Sequence, residues 1–137
     1  MTLDEIKRFL LGEFPQVFQT QALAVEHAKD GHARLRLTPD AAHLRPGDVV
    51  SGPTLMMLAD AGAYAALLSL GEGAKMAVTT NLNISFLRAA APGAQIVQTA
   101  DVIKQGRRLS VIVAEAQGPD GTVLAHTTMT YAMPTAG

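Results

Sequence analysis

Asp60 is the only acidic or basic side chain between Pro53 and Leu70, in a run otherwise built from Leu, Met, Ala, Gly, Tyr, Thr and Ser. A carboxylate in such surroundings is costly unless it is paired or hydrogen-bonded. Two readings stand. Asp60 bonds a neighbour or meets water on one helix face, or it is an acid–base group tuned by desolvation. Gly52-Pro53 opens the same run. Unpaired N–H groups and the positive end of the dipole gather at a helix start, which can therefore bind an anion or a developing oxyanion. Glycine also lets a ligand approach the backbone closely. The plain alternative is an ordinary helix start with Gly52 as N-cap. In helical geometry Gly52 and Asp60 are roughly 12 Å apart along the axis. One carbonyl cannot touch both through hydrogen bonds of about 3 Å. If both serve one reaction, they come from different copies of the chain. Two such helices packed antiparallel about a two-fold axis bring them together twice, so this reading predicts a dimer with two composite sites.

A second constellation is basic. Lys104, Arg107 and Arg108 cluster at a predicted hairpin turn, and Arg88 ends the preceding strand. Such groups can hold phosphates, or they belong to a solvated turn. The four histidines, His27, His32, His43 and His126, show no metal-ligand spacing, and His43 alone stands near Ser51. The absence of cysteine excludes disulfides, thiolate catalysis and Cys-based zinc sites. No Ser-His-Asp arrangement or phosphate-binding glycine loop is present. A net charge of −1 leaves no broad basic field for nucleic acid.

The elements that must position these residues follow from periodicity. Thr2 and Glu5 form a capping box ahead of a short helix with Ile6, Phe9 and Leu10 on its apolar face. This N-terminal helix lies within residues 1–14 and ends near Gly12 or Pro15. Phe18 to Glu26 reads as a strand. Gly31 makes a turn into a half-buried strand, where Ala33, Leu35 and Leu37 alternate with Arg34 and Arg36. Thr38 to Val50 has no period and reads as a loop. Pro53 to Leu70 is apolar nearly all round, which predicts a buried central helix over 52–70, with Pro53 at its first position. Met76 to Leu87 alternates, with Met76, Val78, Leu82, Ile84 and Phe86 on one face and Thr79, Asn81, Asn83 and Ser85 on the other. Strands over Ala94 to Lys104, Leu109 to Ala116 and Val123 to Met133 complete the pattern. The whole predicts one domain over 1–137, an antiparallel sheet curled around the central helix. Hydrophobic residues make up 48% and charged residues 17%. That balance suggests surface hidden against another subunit. The charged N-terminal stretch is not a signal peptide, and no apolar run is long enough to span a membrane. The expectation is a cytoplasmic protein.

The run Val50-Ser51-Gly52-Pro53-Thr54-Leu55-Met56-Met57-Leu58-Ala59-Asp60 resembles a signature of the hot-dog-fold acyl-CoA thioesterases of the phenylacetate-pathway type. That signature is His-Gly-Gly, a short apolar run, then Leu-Ala-Asp or Leu-Ala-Glu. The stretch from Ala77 to Leu87 is similar to the strand that follows in that family, and Pro92-Gly93 fits its next turn. The resemblance extends over about residues 15–133 in element order. It implies an α+β hot-dog fold and hydrolysis of acyl-CoA to free acid and coenzyme A. Asp60 falls on the catalytic carboxylate, a general base on water or a nucleophile. Gly52 falls on the glycine whose N–H polarises the thioester carbonyl, and Thr79 on a position that places water or the carboxylate. Ser51 stands where the family has His, Pro53 where it has the second Gly, and Arg45 where some members have Asn. With Asn81, Arg88, Arg107 and Arg108 these form the expected substrate-binding set. Acyl-CoA is then the small-molecule partner, no metal or other cofactor is expected, and homodimers pair again into dimers of dimers. The alternative function is an acyl-CoA-binding or regulatory module without turnover. A hydratase on the same fold pairs His with an acid in motifs not found here.

Overall fold

The computed structural model of the protein describes residues 1–19 and 21–134. Helix α1 (Leu3–Glu13) carries the predicted capping box: the Glu5 N–H donates to Thr2 Oγ1 at 3.2 Å and the Thr2 N–H to the Glu5 carboxylate at 3.0 Å. Its Ile6 and Leu10 are buried. A single-turn helix α2 (Pro15–Phe18) follows, with Phe18 buried. The expected strand over Phe18 to Glu26 is thereby corrected: strand β1 is Leu23–Lys29. Pro15, whose fixed φ suits a first helical turn, diverts the preceding residues into helix.

Strand β2 is His32–Leu37, joined to β1 by Asp30 and Gly31. Both turn residues have positive φ, 52° and 79°, the conformation a two-residue hairpin turn requires. Thr38 to Val50 is more ordered than expected. It contains a 3-10 turn at Ala41–His43 and a small hairpin of β3 (Leu44–Arg45) with β4 (Val49–Val50). The central helix α3 runs Gly52–Leu68, two residues shorter than predicted, with Ser51 as N-cap. Gly52 is therefore its first residue and Pro53 its second, a correction to both. Strands β5 (Val78–Phe86), β6 (Ile96–Gln105), β7 (Leu109–Gln117) and β8 (Val123–Ala132) complete the chain.

The long strands form one antiparallel sheet in the order β1-β2-β6-β7-β8-β5, and α3 lies across its inner face, chiefly over β6 with β2 and β7 to either side. This is the hot-dog arrangement that the motif resemblance implied. Gly62 permits the close approach of helix to sheet. A Cβ there would meet the Gln98 side chain on β6 at 3.2 Å. Leu58, Ala65, Ala66 and Leu68 of α3 and Leu35, Ile96, Ile112 and Met129 of the sheet are fully or almost fully buried. The helix is not covered all round. Pro53 and Met56 are exposed, and Met57, Asp60 and Tyr64 half-buried, along one stripe. Strands β1 and β5 are the sheet edges, and both faces of β5 are largely uncovered. Among the described residues no helix is long and apolar enough to cross a membrane.

Candidate active site

Asp60 sits midway along α3 and is half-buried, so water can reach it, as one of the two readings of this residue allowed. Two hydroxyls converge on one of its oxygens. Thr79 Oγ1 donates to Oδ1 at 2.6 Å and the Tyr131 hydroxyl at 2.5 Å. The Tyr131 oxygen also lies 3.0 Å from the Asp60 main-chain carbonyl. Burial, and then the neighbouring Asp60 charge, push the Tyr131 phenol well above its ordinary value, so it stays protonated as a donor. Among the described residues no group bonds Asp60 Oδ2. One oxygen is held and the other is open.

A bulge in β5 makes this contact. Strict alternation puts Thr79 on the same face as Asn81 and Asn83. In the structure Thr79 pairs with Tyr131 and Asn81 with Thr130, so Thr80 is an extra residue in the ladder. The bulge turns Thr79 to the inner face, in line with Leu82, Ile84 and Tyr131, beside Asp60. Bulges of this kind re-aim side chains next to sites. Asn81 is left on the outer face among Asn83 and Ser85, exposed, and the structure does not bring it to Asp60. Val78 is separated from the Leu82 face for the same reason and is 59% exposed, whereas Met76, expected on the same strand, instead ends a 3-10 turn over Glu72–Met76 and is 76% exposed.

A cavity of about 440 Å³ adjoins the carboxylate. Its polar groups, Asp60, Thr79 and Tyr131, meet where α3, β5 and β8 come together, and Phe14, Val17, Phe18 and Met57 add apolar wall. Tyr64 also faces it, but its hydroxyl is engaged by the Lys75 carbonyl at 2.5 Å. Elsewhere on α3, Leu55 and Leu58 are core, and the exposed Met56 lies outside this cavity.

The start of α3 is a separate place. Ser51 Oγ accepts from the Thr54 N–H at 3.3 Å and lies 2.9 Å from Thr54 Oγ1, so its side chain is a cap. The His43 carbonyl accepts from the Ser51 N–H and from Thr54 Oγ1, fixing the 3-10 turn against the helix start. No hydrogen bond from the Gly52 N–H is made among the described residues. Gly52 lines a depression with Leu55, Phe86, Leu87 and Arg88. Arg45 is exposed on β3. Arg107 and Arg108 are exposed in the β6–β7 turn, where the Arg108 carbonyl accepts from the Met133 N–H. That places the turn at the Tyr131 end of the sheet, while Arg88 is at the Gly52 end.

A model of the thioesterase superfamily matches residues 47–132. The chain belongs to that superfamily. It is accordingly an enzyme of the thioesterase class. The fold matches a putative thioesterase from Silicibacter sp. TM1040 at 32% identity and TM-score 0.89, covering 98% of this chain and 93% of that one. It matches zebra fish thioesterase superfamily member 2 at 24% identity and TM-score 0.86, covering 98% and 99%. A hypothetical thioesterase from Streptococcus pneumoniae TIGR4, solved with coenzyme A, matches at 20% identity and TM-score 0.80, covering 90% and 96%. No curated protein matches the chain.

The superfamily match spans Gly52, Asp60, Thr79 and Tyr131, but not Phe14, Val17 or Phe18. Sequence reasoning missed all four of Phe14, Val17, Phe18 and Tyr131 as site residues. A signal for Tyr131 existed: a tyrosine on the alternating, buried face of a strand needs a partner for its hydroxyl.

Proposed function

We propose that this thioesterase hydrolyses acyl-CoA, with Asp60 as general base. The observation that carries this reading is the carboxylate held on one oxygen by Thr79 and Tyr131 and open on the other, at the edge of an apolar cavity. Water bound to Oδ2 gives a proton to the carboxylate as it adds to the thioester carbonyl. The tetrahedral oxyanion accepts a hydrogen bond from the Gly52 N–H of a second copy. When the C–S bond breaks, the proton passes from Asp60 to the departing sulfur, leaving free acid and coenzyme A thiol. The Streptococcus pneumoniae relative with coenzyme A supports the choice of CoA thioesters.

The second copy is part of the proposal, and the edge strand supports it. The start of β5 stands by Asp60 through Thr79, and its end stands by Gly52 through Phe86, whose ring would lie 3.4 Å from a Cβ on Gly52. Two copies of β5 paired antiparallel about a two-fold axis bring the start of each strand to the end of the other. Asp60 of one chain then faces Gly52 of the next, twice per dimer. Arg107 and Arg108 of one chain and Arg88 of the other reach the same composite site from opposite sides and hold the coenzyme phosphates.

Thiol release from a panel of acyl-CoAs tests this, with wild type beside Asp60→Asn at equal oligomer size. The expected result is turnover that falls about 100-fold or more in the variant. A folded wild type that binds acyl-CoA and releases no thiol from any of the panel replaces the hydrolase reading with a binding module.

A further inference from the structure

We infer that the α1–α2 corner is the acyl-selecting wall of the cavity beside Asp60, and that it limits the length of an apolar acyl group. This rests on the acyl-CoA hydrolase reading of the same site. The cavity has two sides of different origin. Asp60, Thr79 and Tyr131 supply its polar end and lie within the superfamily match, residues 47–132. Phe14, Val17 and Phe18 lie outside it and add to the apolar lining that Met57 and Val78 supply from inside it.

The chain has four phenylalanines, two tyrosines and no tryptophan. Phe14, Phe18, Tyr64 and Tyr131 all line this one cavity. Phe9 backs Tyr64 at 6.3 Å between ring centres. A chain so poor in aromatics that gathers them around one space has built a wall there. Single-turn helices have no stability of their own, so α2 stands by its contacts. Phe14 packs edge-on to Phe18 at 6.0 Å and tilted to Tyr64 at 6.4 Å. Phe18 is anchored in the core.

The polarity of the cavity fixes the direction of the substrate. The reacting carbonyl belongs at the Asp60 end, so the acyl tail points at Val17 and Phe18. A volume of about 440 Å³ suits a small organic group. An acetyl group leaves most of it unfilled. Each buried methylene favours binding roughly fourfold, so kcat/KM rises with chain length until the terminal methyl meets α2. Val17 stands on that boundary, half-buried, where its size changes the depth of the space without removing core.

The test is the chain-length profile of kcat/KM from acetyl-CoA to dodecanoyl-CoA for wild type, Val17→Trp and Val17→Ala. The expected result is a shift of the optimum to shorter chains in the first variant and to longer chains in the second. The hexanoyl-to-acetyl ratio falls at least tenfold in Val17→Trp. Opposite shifts at one position are not produced by misfolding. Profiles that keep their wild-type optimum in both variants overturn the wall while leaving the hydrolase reading intact. If wild type releases no thiol, the hydrolase reading fails by itself. The ratio of hexanoyl-CoA to acetyl-CoA dissociation constants then decides: opposite changes in the two variants uphold the wall, and no change overturns it.

Discussion

At the middle of α3, Asp60 has its partners in its own chain: a hydroxyl from β5, a hydroxyl from β8 and an adjoining cavity. At the start of the same helix Gly52 lines a depression in which, among the described residues, Arg88 is the one charged side chain. The first region is assembled by folding. In the proposed reading, the second is completed by another copy of the chain. The difference shows what a helix over a sheet can do alone. It can orient a base by reaching across to two strands, but it cannot bring its own N-terminus to that base, because the rise of the helix keeps them roughly 12 Å apart. In the proposed dimer, a second copy set against the exposed Pro53 and Met56 and the free edge of β5 closes the gap.

If one chain sufficed for the reaction, the two regions would not complement each other between copies. Gly52→Pro removes the N–H at a first helical position where proline is tolerated. Ser51, with ψ 157°, already has the backbone that precedes a proline. The variant is expected to lose roughly 100-fold or more in kcat, the scale of one oxyanion donor. Mixed with Asp60→Asn under conditions that exchange subunits, the two inactive proteins are expected to regain about a quarter of wild-type activity, since half the random dimers are mixed and each mixed dimer has one intact site. Failure to regain any activity despite demonstrated exchange places both groups in the same chain's site, against the composite reading.

Loss of one donor to Asp60 has a smaller effect. Tyr131→Phe deletes one of the two donors on Asp60 Oδ1 and keeps the ring. A hydrogen bond to a charged group is worth about 1.5–3 kcal/mol, and Thr79 still holds the same oxygen, so kcat is expected to fall about tenfold with KM little changed. Thr79→Ala is expected to act in the same direction, and Thr79→Ser to restore activity. A change confined to KM in either variant assigns these hydroxyls to substrate contact instead.

These contacts show where the sequence was readable and where it was not. The Thr2–Glu5 cap, the turn at Gly31, the β2 alternation and α3 are local patterns, and the structure holds each of them. Asp60 was legible because a lone charge in an apolar helix requires an explanation. Thr79 was legible only through resemblance to a family, because alternation pointed it the wrong way and a bulge at Thr80 carries no glycine to announce it. The same bulge removed Asn81 from the site. Tyr131 is distant in sequence from everything it touches, and which strand lies beside β5 is a property of topology, not of any window. The start of the strand expected at Phe18 moved to Leu23, because the turn of helix from Pro15 takes in Phe18, and that turn forms part of the cavity wall.

The smallest effect concerns the basic groups, which the two regions divide between them. Arg107 and Arg108 are at the Asp60 end and Arg88 at the Gly52 end, all exposed. Exposed charges act weakly and are screened by salt. The pair Arg107→Glu and Arg108→Glu is therefore expected to raise KM for acyl-CoA about fivefold at low salt, with kcat unchanged, and the effect is expected to shrink as ionic strength rises. A thioester with the same acyl group on a short uncharged thiol separates the two halves of the substrate. It should show no difference between wild type and the double variant, because nothing remains for the arginines to hold. An equal rise in KM for that substrate attributes the change to the β6–β7 turn itself and takes these residues out of the site.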